Sequence, residues 1–293
     1  VSTQYAVTTP GLEPGVLFLL SATVAQPITI KPACEHQDMQ HQNHLYVWDD
    51  RFLYITAGMA SDLTQRHTVT LLIALDAAGF ALGDASGRRQ RYQAALVARQ
   101  TSRSLETPDS GLLSLNYDPQ SYEFHALSHF LGKQPVKPVI LQPGSLQEDE
   151  LRRIGQGTCS RDLLFRLTTR MPRAISGYQP INLNMDIRAL HIAQKIKREL
   201  PLTSTVAELA DEVGLSADRL SHLFYEKLGL SIKSYILWAR MRRAVELIAQ
   251  GESLSAVAYD VGFADSAHLT RTIKQFFGLT PSYVAKSVQV HML

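Results

Sequence analysis

The chain has 293 residues with 29 Lys plus Arg against 27 Asp plus Glu, a formal charge of +2 and a charged fraction of 19%. That length accommodates two domains, each with its own core, and the near balance of charge excludes a protein that grips nucleic acid through a broad cationic surface alone. No apolar run reaches bilayer length, and Gly15 to Ala25 has neither a basic leader nor a secretory layout, so the sequence predicts a cytoplasmic protein with no membrane partner. Cys34 and Cys159 lack metal-site spacing and read as reduced thiols.

The N-terminal part has the period of strands. His44 to Thr56, His67 to Leu75, Phe80 to Leu82, Tyr92 to Ala98 and Gly111 to Tyr117 are short and aromatic, β-branched or leucine-rich. Turn residues separate them at Asp76-Ala-Ala-Gly, Gly83-Asp-Ala-Ser-Gly and Thr107-Pro-Asp-Ser-Gly. This spacing predicts an antiparallel barrel or jelly roll over about residues 1–140.

Two clusters in the barrel suggest what it senses. His36, His41, His44 and His67 supply imidazoles for a metal, but the His-x-His spacing and partner Glu of a metal-binding barrel are not evident, and surface histidines fit as well. Arg88, Arg89 and Arg91 precede a strand, and Arg99 and Arg103 follow it in an Arg-x-x-x-Arg pattern. Forked guanidinium pairs hold phosphate or carboxylate. The pattern is similar to the arginine pair with which PilZ-type receptors hold cyclic di-GMP; a solvated basic hairpin is the alternative.

Leu146 to Ile154 and Arg161 to Arg170 read as two helices in a pair over about 145–172, with Leu151 and Ile154 on one and Leu163, Leu164 and Leu167 on the other. Pro172, Gly177 and Pro180 mark a linker over 173–185. The domains expected are therefore 1–172 and 186–293.

From Asp186 onward the period is helical and a pattern occurs twice. Val206 to Gly229 and Ala256 to Gly278 each give a short apolar-faced helix, a turn with one glycine (Gly214, Gly262), and a second amphipathic helix closed by another glycine. Each is the layout of a helix-turn-helix, and a plain bundle has no need to repeat it. Glycine can adopt the left-handed conformation that stops the first helix; Ser216 and Asp265 are placed to cap the second. Ser231 to Gln250 reads as one long helix that would hold the motifs apart, suited to successive major-groove segments about 34 Å apart.

These residues carry a family resemblance. Leu209-Ala210, Gly214-Leu-Ser, Leu220, Leu223-Phe224, Gly229, Tyr235, Arg240, Ala244, Ala258, Val261-Gly-Phe263, Lys274, Phe277-Gly278 and Pro281 resemble the AraC/XylS signature in order and spacing across roughly 186–286. Leu269 and Ile273 stand where aromatics are common, as apolar core exchanges. The resemblance implies an α+β chain: a cupin-like barrel with a helical pair that either makes the dimer contact, as is frequent in the family, or simply packs onto the barrel, then an all-α domain with two reading heads. It implies double-stranded promoter or operator DNA, a small-molecule effector, RNA polymerase and a homodimer as partners, and no cofactor or enzymatic activity.

The outward positions that the family uses on bases are Asp218, Ser221 and His222 on the first recognition helix, and Ser266, Ala267, Thr270 and Arg271 on the second. Arg271 can bond a guanine bidentately; Arg240, Arg243 and Lys274 fit phosphates, which position without specifying. From Asp186 onward there are 13 Lys plus Arg against 11 Asp plus Glu, so a few placed contacts and dimerisation must supply affinity. Two other readings are a metal-dependent cupin enzyme with a helical appendage, which lacks a nucleophile motif, phosphate loop or paired carboxylates, and an adaptor that binds protein.

Overall fold

The computed structural model describes residues 43–107, 111–141, 146–177, 186–200, 203–277 and 279–293; His36, His41, Cys34, Gly278 and Pro180 lie outside them. The stretch from His44 to Thr56 is not one strand. The Asp49-Asp50 pair turns it back on itself into a hairpin, β1 (Asn43–Val47) and β2 (Arg51–Thr56), closed by the Trp48 N–H donating to the Arg51 carbonyl at 2.9 Å. Further strands are β3 (Ala60–Thr64), β4 (Val69–Ala74), β5 (Phe80–Gly83), β6 (Arg89–Tyr92), β7 (Ala94–Val97), β8 (Arg103–Glu106) and β9 (Leu112–Tyr117). After helix α1 (Tyr122–Leu131) comes the short β10 (Val136–Pro138), and the chain ends on β11 (Val288–Met292).

Among the described residues the strands form two sheets, ordered β10-β7-β4-β9-β2-β1-β11 and β3-β8-β5-β6. Alternation decides which side chain goes where. On β9, Leu113, Leu115 and Tyr117 face one way, into a core with Phe124, Leu127 and Leu131 of α1. Leu112 faces the other way and joins Leu72, Phe80, Leu82, Val97 and Leu105 between the sheets. Ser114 and Asn116, on the same face as Leu112, are buried and polar.

The helical pair forms, as α2 (Glu148–Gly155) and α3 (Arg161–Phe165), but the second helix continues through a π-helical turn (Arg166–Arg170) into α4 (Met171–Ile175). Pro172, read from sequence as the start of a linker, lies inside this helix. It has no N–H for the Thr168 carbonyl four residues back, and that carbonyl accepts instead from Arg51 Nη1 at 2.7 Å and from the Tyr117 hydroxyl at 3.1 Å. Ile154, Leu163, Leu164 and Leu167 are buried in the core beneath the large sheet. As dimer contacts they are corrected: an amphipathic helix has one apolar face, and these four spend it on their own barrel. Leu151 is half-buried.

The C-terminal part runs α5 (Ile187–Arg198), α6 (Val206–Glu212), α7 (Ala217–Leu228), α8 (Ile232–Ala249), α9 (Leu254–Asp260), α10 (Ser266–Phe277) and α11 (Pro281–Ser287). Two cores share α8. Tyr235 and Ala239 pack with Ile192, Leu209, Ala210, Leu220 and Phe224; Trp238, Met241 and Ile248 pack with Val257, Ala258, Val261, Leu269, Ile273 and Phe276. Leu269 and Ile273 are fully buried, as expected of apolar exchanges. The second core runs on into Phe52 of β2, and β11 pairs in parallel with β1, matching Asn43 to Val288 and Tyr46 to His291. The sequence reading missed α1, α4, α11, β3, β6, β8, β10 and β11. No helix among the described residues is long and apolar enough to cross a membrane.

Candidate DNA-binding surface

Each reading head is assembled by local signals. In the first, Thr205 and Glu208 cap α6 reciprocally, Gly214 turns the chain at φ +65°, and the Ser216 side chain accepts from the Arg219 N–H to start α7. In the second, Ser253 caps α9, Gly262 turns at φ +78°, and Asp265 Oδ1 accepts from the His268 N–H at 2.6 Å to start α10. Caps and left-handed glycines thus sit at matching places, and each contributes about 1 kcal/mol to holding the helix ends.

The predicted base-reading residues lie on the open faces. Asp218, Ser221 and His222 are exposed on α7, as are Ala267 and Arg271 on α10, with Ser266 and Thr270 half-buried. The Ser221 and Thr270 hydroxyls donate back to Ala217 and Ser266 at 2.8 Å, which leaves their lone pairs outward. Arg271 is exposed beyond the Asp265 cap, free of any ion pair in the described residues.

The phosphate candidates divide. Lys274 points toward the sheet-rich part and pairs with Asp62 of β3 at 3.2 Å, both groups well exposed. Arg243 pairs with Glu246 on its own helix at 3.0 Å and is half exposed. Arg240 turns inward: its Nη1 donates to the Gly262 carbonyl at 2.9 Å and its Nε is buried. It therefore braces α8 against the turn of the second head, and the geometry gives it a positioning part more readily than a phosphate contact.

The 3.6 period of α8 puts Arg242 on the polar side with Arg240 and Arg243 and gives it no role. It does not sit on an open polar face: it donates to Asp118 Oδ2 at 2.8 Å and to the carbonyls of Trp48 and Asp49. Asp118 is fully buried and also accepts from Trp238 Nε1 at 3.0 Å. Lys197 adds a longer contact to the same carboxylate at 3.9 Å; burial pushes its ammonium down, and Asp118 opposes that shift. The only trace in the sequence is Asp118 beside Pro119 in a stretch that breaks the strand pattern.

The basic cluster of the barrel is dispersed. Arg88 is held by Asp84 at 3.2 Å, Arg89 by Glu106 at 2.6 Å, and Arg91 donates to the Ala78 carbonyl. Arg99 reaches across to the Gly229 carbonyl at the end of α7, while Arg103 is 4% exposed and faces between the sheets. The Arg99 and Arg103 pair is corrected: the left-handed Gln100, φ +58°, lies in a turn between them, and the two side chains take different destinations. The histidines also part, His44 facing His291 at 3.3 Å and His67 packing on Phe276. No group of three His, Cys, Asp or Glu among the described residues is placed to hold a metal.

Residues 209–287 match the family profile described as a helix-turn-helix domain. The arabinose operon regulatory protein of Escherichia coli is 32% identical over 123 residues, 41% of each chain. Residues 209–287 are thus a helix-turn-helix domain of the AraC type. The AraC-type domain is also 35% identical over 85 residues to the Msm operon regulatory protein of Streptococcus mutans, covering 29% of this chain and 31% of that one. The chain thus spans about a third to two fifths of the length of these curated relatives. In architecture, apo ToxT of Vibrio cholerae superposes with a TM-score of 0.52 at 14% identity, over 82% of this chain and 98% of that one. ToxT with an unsaturated fatty acid bound gives 0.50 at 15% identity, over 80% and 95%. These two share the fold of a sheet-rich part followed by an AraC-type helical domain.

Proposed function

We propose that this protein is a sequence-specific regulator of transcription, acting on promoter DNA in the cytoplasm, whose sheet-rich part controls the two reading heads in response to an anionic effector. The carrying observation is the duplicated helix-turn-helix, with matching caps, matching left-handed glycines and open recognition faces. Asp218, Ser221, His222, Ser266, Ala267, Thr270 and Arg271 read bases; Arg243 and Lys274 position phosphates. Residues 186–293 form the DNA-binding domain and 1–172 the effector and dimerisation domain, with RNA polymerase as the downstream partner.

The effector's charge is supported by the buried arginines of the barrel. Cyclic di-GMP, the sharpest form of that reading, loses support because Arg99 and Arg103 diverge and Arg88 and Arg89 are already neutralised by Asp84 and Glu106. The fatty acid held by ToxT favours a carboxylate. For the homodimer, a cavity of about 460 Å3 lined by the exposed Ile140 with Leu141, Leu146, Met171 and Ile175 is a better candidate than the buried leucines.

The deciding experiment is fluorescence anisotropy with a selected operator and a scrambled duplex. Arg271→Ala should weaken operator binding by about 1 to 3 kcal/mol while leaving the scrambled duplex little changed. Equal losses on both would remove the base-reading role, and failure to select any preferred sequence would remove the regulator reading.

A further inference from the structure

Two buried guanidinium groups of the sheet-rich part, Arg103 facing the small sheet's core and Arg66 facing the large sheet and α10, have no carboxylate partner within ion-pair distance among the described residues. Arg66 is 7% exposed and Arg103 4%. They are neighbours by construction: Thr64 is paired with Arg103 across β3 and β8, and Arg66 follows Thr64 by two residues. Around them are Thr68, Thr70, Ser114 and Asn116, buried and uncharged. Arg66 is partly satisfied, donating to Asn116 Oδ1 at 2.8 Å and Ser114 Oγ at 3.5 Å. Among the described residues the Arg103 side chain makes no hydrogen bond, and its Nε is sealed from solvent. The Tyr54 hydroxyl on the Arg66 side is also buried, beside Tyr283 and Thr56.

A buried charge persists when it is paired or when a bound group completes it. Burial lowers the pKa of both groups, and for Arg103 the adjacent Arg66 cation adds to this; the values, about 10 and about 9, leave both protonated at neutral pH. Two cations side by side with hydroxyls and an amide for company make a receptor for a negative head group. A route to it exists. A groove of about 780 Å3 lined by Leu82, Tyr92 and Val136, with Asp84, Ser86 and Arg89 at its polar side, reaches Arg103, while Arg66 lines a second cavity with Phe52, Tyr54 and Phe277.

We infer that Arg66 and Arg103 form the head-group site for an organic carboxylate, whose apolar body lies along the groove past Leu82, Tyr92 and Val136. This deepens the effector-controlled reading above and rests on it for its consequence, though not for the binding itself. A singly charged carboxylate is favoured over a phosphate ester because the other cations of the groove, Arg88 and Arg89, are already paired with Asp84 and Glu106.

The same Arg66 connects the site to DNA reading. Its Nε donates to the Phe276 carbonyl at 3.3 Å and its Nη2 to the Phe277 carbonyl at 3.4 Å. These are the last carbonyls of α10, the second recognition helix, where a cation is favoured by the helix dipole. A carboxylate that engages Arg66 competes with those carbonyls and loosens the hold of the barrel on α10. Occupancy is then coupled to the freedom of the second reading head, and the coupling is reciprocal.

The test is isothermal titration of the full chain with octanoate, 1-octanol and inorganic phosphate, alongside thermal unfolding of the wild type and of Arg103→Met and Arg66→Met. Octanoate should bind and raise the unfolding temperature, 1-octanol should not, and Arg103→Met should weaken octanoate at least tenfold. Because Arg103→Met removes an unpaired buried charge, the unliganded variant should unfold at the same or a higher temperature than wild type, which guards against loss by misfolding. Octanoate should also change operator affinity in the wild type and not in Arg66→Met. Silence from octanoate, equal binding of 1-octanol, a response to phosphate alone, or undiminished binding by Arg103→Met overturns the site. Operator binding measured without any anion tests the regulator reading separately: octanoate binding with no operator preference keeps the site and removes the regulator.

Discussion

The Trp238 indole donates its Nε1 hydrogen to Asp118 Oδ1 at 3.0 Å, joining the middle of the helix between the two reading heads to the residue after β9 in the sheet-rich part. Both side chains are fully buried, and Arg242, one turn further along α8, holds the other carboxylate oxygen at 2.8 Å. Asp118 is therefore where α8 is registered against the barrel.

Removing that carboxylate takes the ion pair from the largely buried Arg242, which keeps two carbonyl acceptors, and the acceptor from the Trp238 indole. Asp118→Ala should destabilise the chain by about 3 to 5 kcal/mol, and Trp238→Phe, which leaves a single unmet acceptor position, by about 1 to 3 kcal/mol. Denaturant unfolding of both single variants and the double variant checks this. Additive losses would show that the two groups act independently.

Lys274 is shared between the barrel and the phosphate contact proposed for it. Lys274→Ala should weaken operator and scrambled DNA alike and lower the salt slope by about one. Asp62→Ala, which frees Lys274 from a pair between exposed groups, should tighten binding only about two- to fivefold. Binding measured across salt concentrations separates the two; a sequence-dependent effect of Lys274→Ala would reassign the residue.

His44 and His291 face one another where β11 joins β1, and both have their pKa lowered by burial, His44 also by His291. The unfolded chain then binds protons near pH 6.5 before the folded chain does, so stability is full above that pH and falls as the pH drops through it toward the lowered values. Unfolding temperatures between pH 8 and pH 5 should decline more steeply in wild type than in a His44→Gln, His291→Gln double variant. Parallel declines would place the sensitivity elsewhere, for instance at buried His67 or His125.

Gly214 turns the chain at a left-handed φ of +65° with open space where a Cβ would stand. Gly214→Ala should therefore cost about 1 kcal/mol from backbone strain alone. At Gly229, φ +68°, a Cβ would also meet the Arg99 guanidinium, so Gly229→Ala should cost more, and Arg99→Ala in that background should recover part of the difference. Chemical denaturation of the three variants checks the order.

The sequence by itself determined the parts whose causes are local. Ser216 and Asp265 cap because a short oxygen side chain beside an apolar 3.6 period satisfies the first free N–H groups, and Gly214 and Gly262 stop helices because only glycine takes positive φ cheaply. Alternation marked the strands from His67 to Leu75 and from Gly111 to Tyr117, and Arg271 was legible as an outward residue of α10 from the period alone. Tertiary structure decided what depends on distant partners. Arg242 and Arg243 are adjacent and equally polar, yet one is buried on Asp118 and the other pairs on its own helix, because only the docked barrel offers a carboxylate on that side. Arg99 and Arg103 read as a pair along the chain, but a turn sends one to Gly229 and the other inward beside Arg66. Ile154, Leu163 and Leu167 carry the same apolar stripe whether it meets a second copy or the chain's own sheet, so the stripe was visible in the sequence and its partner was not.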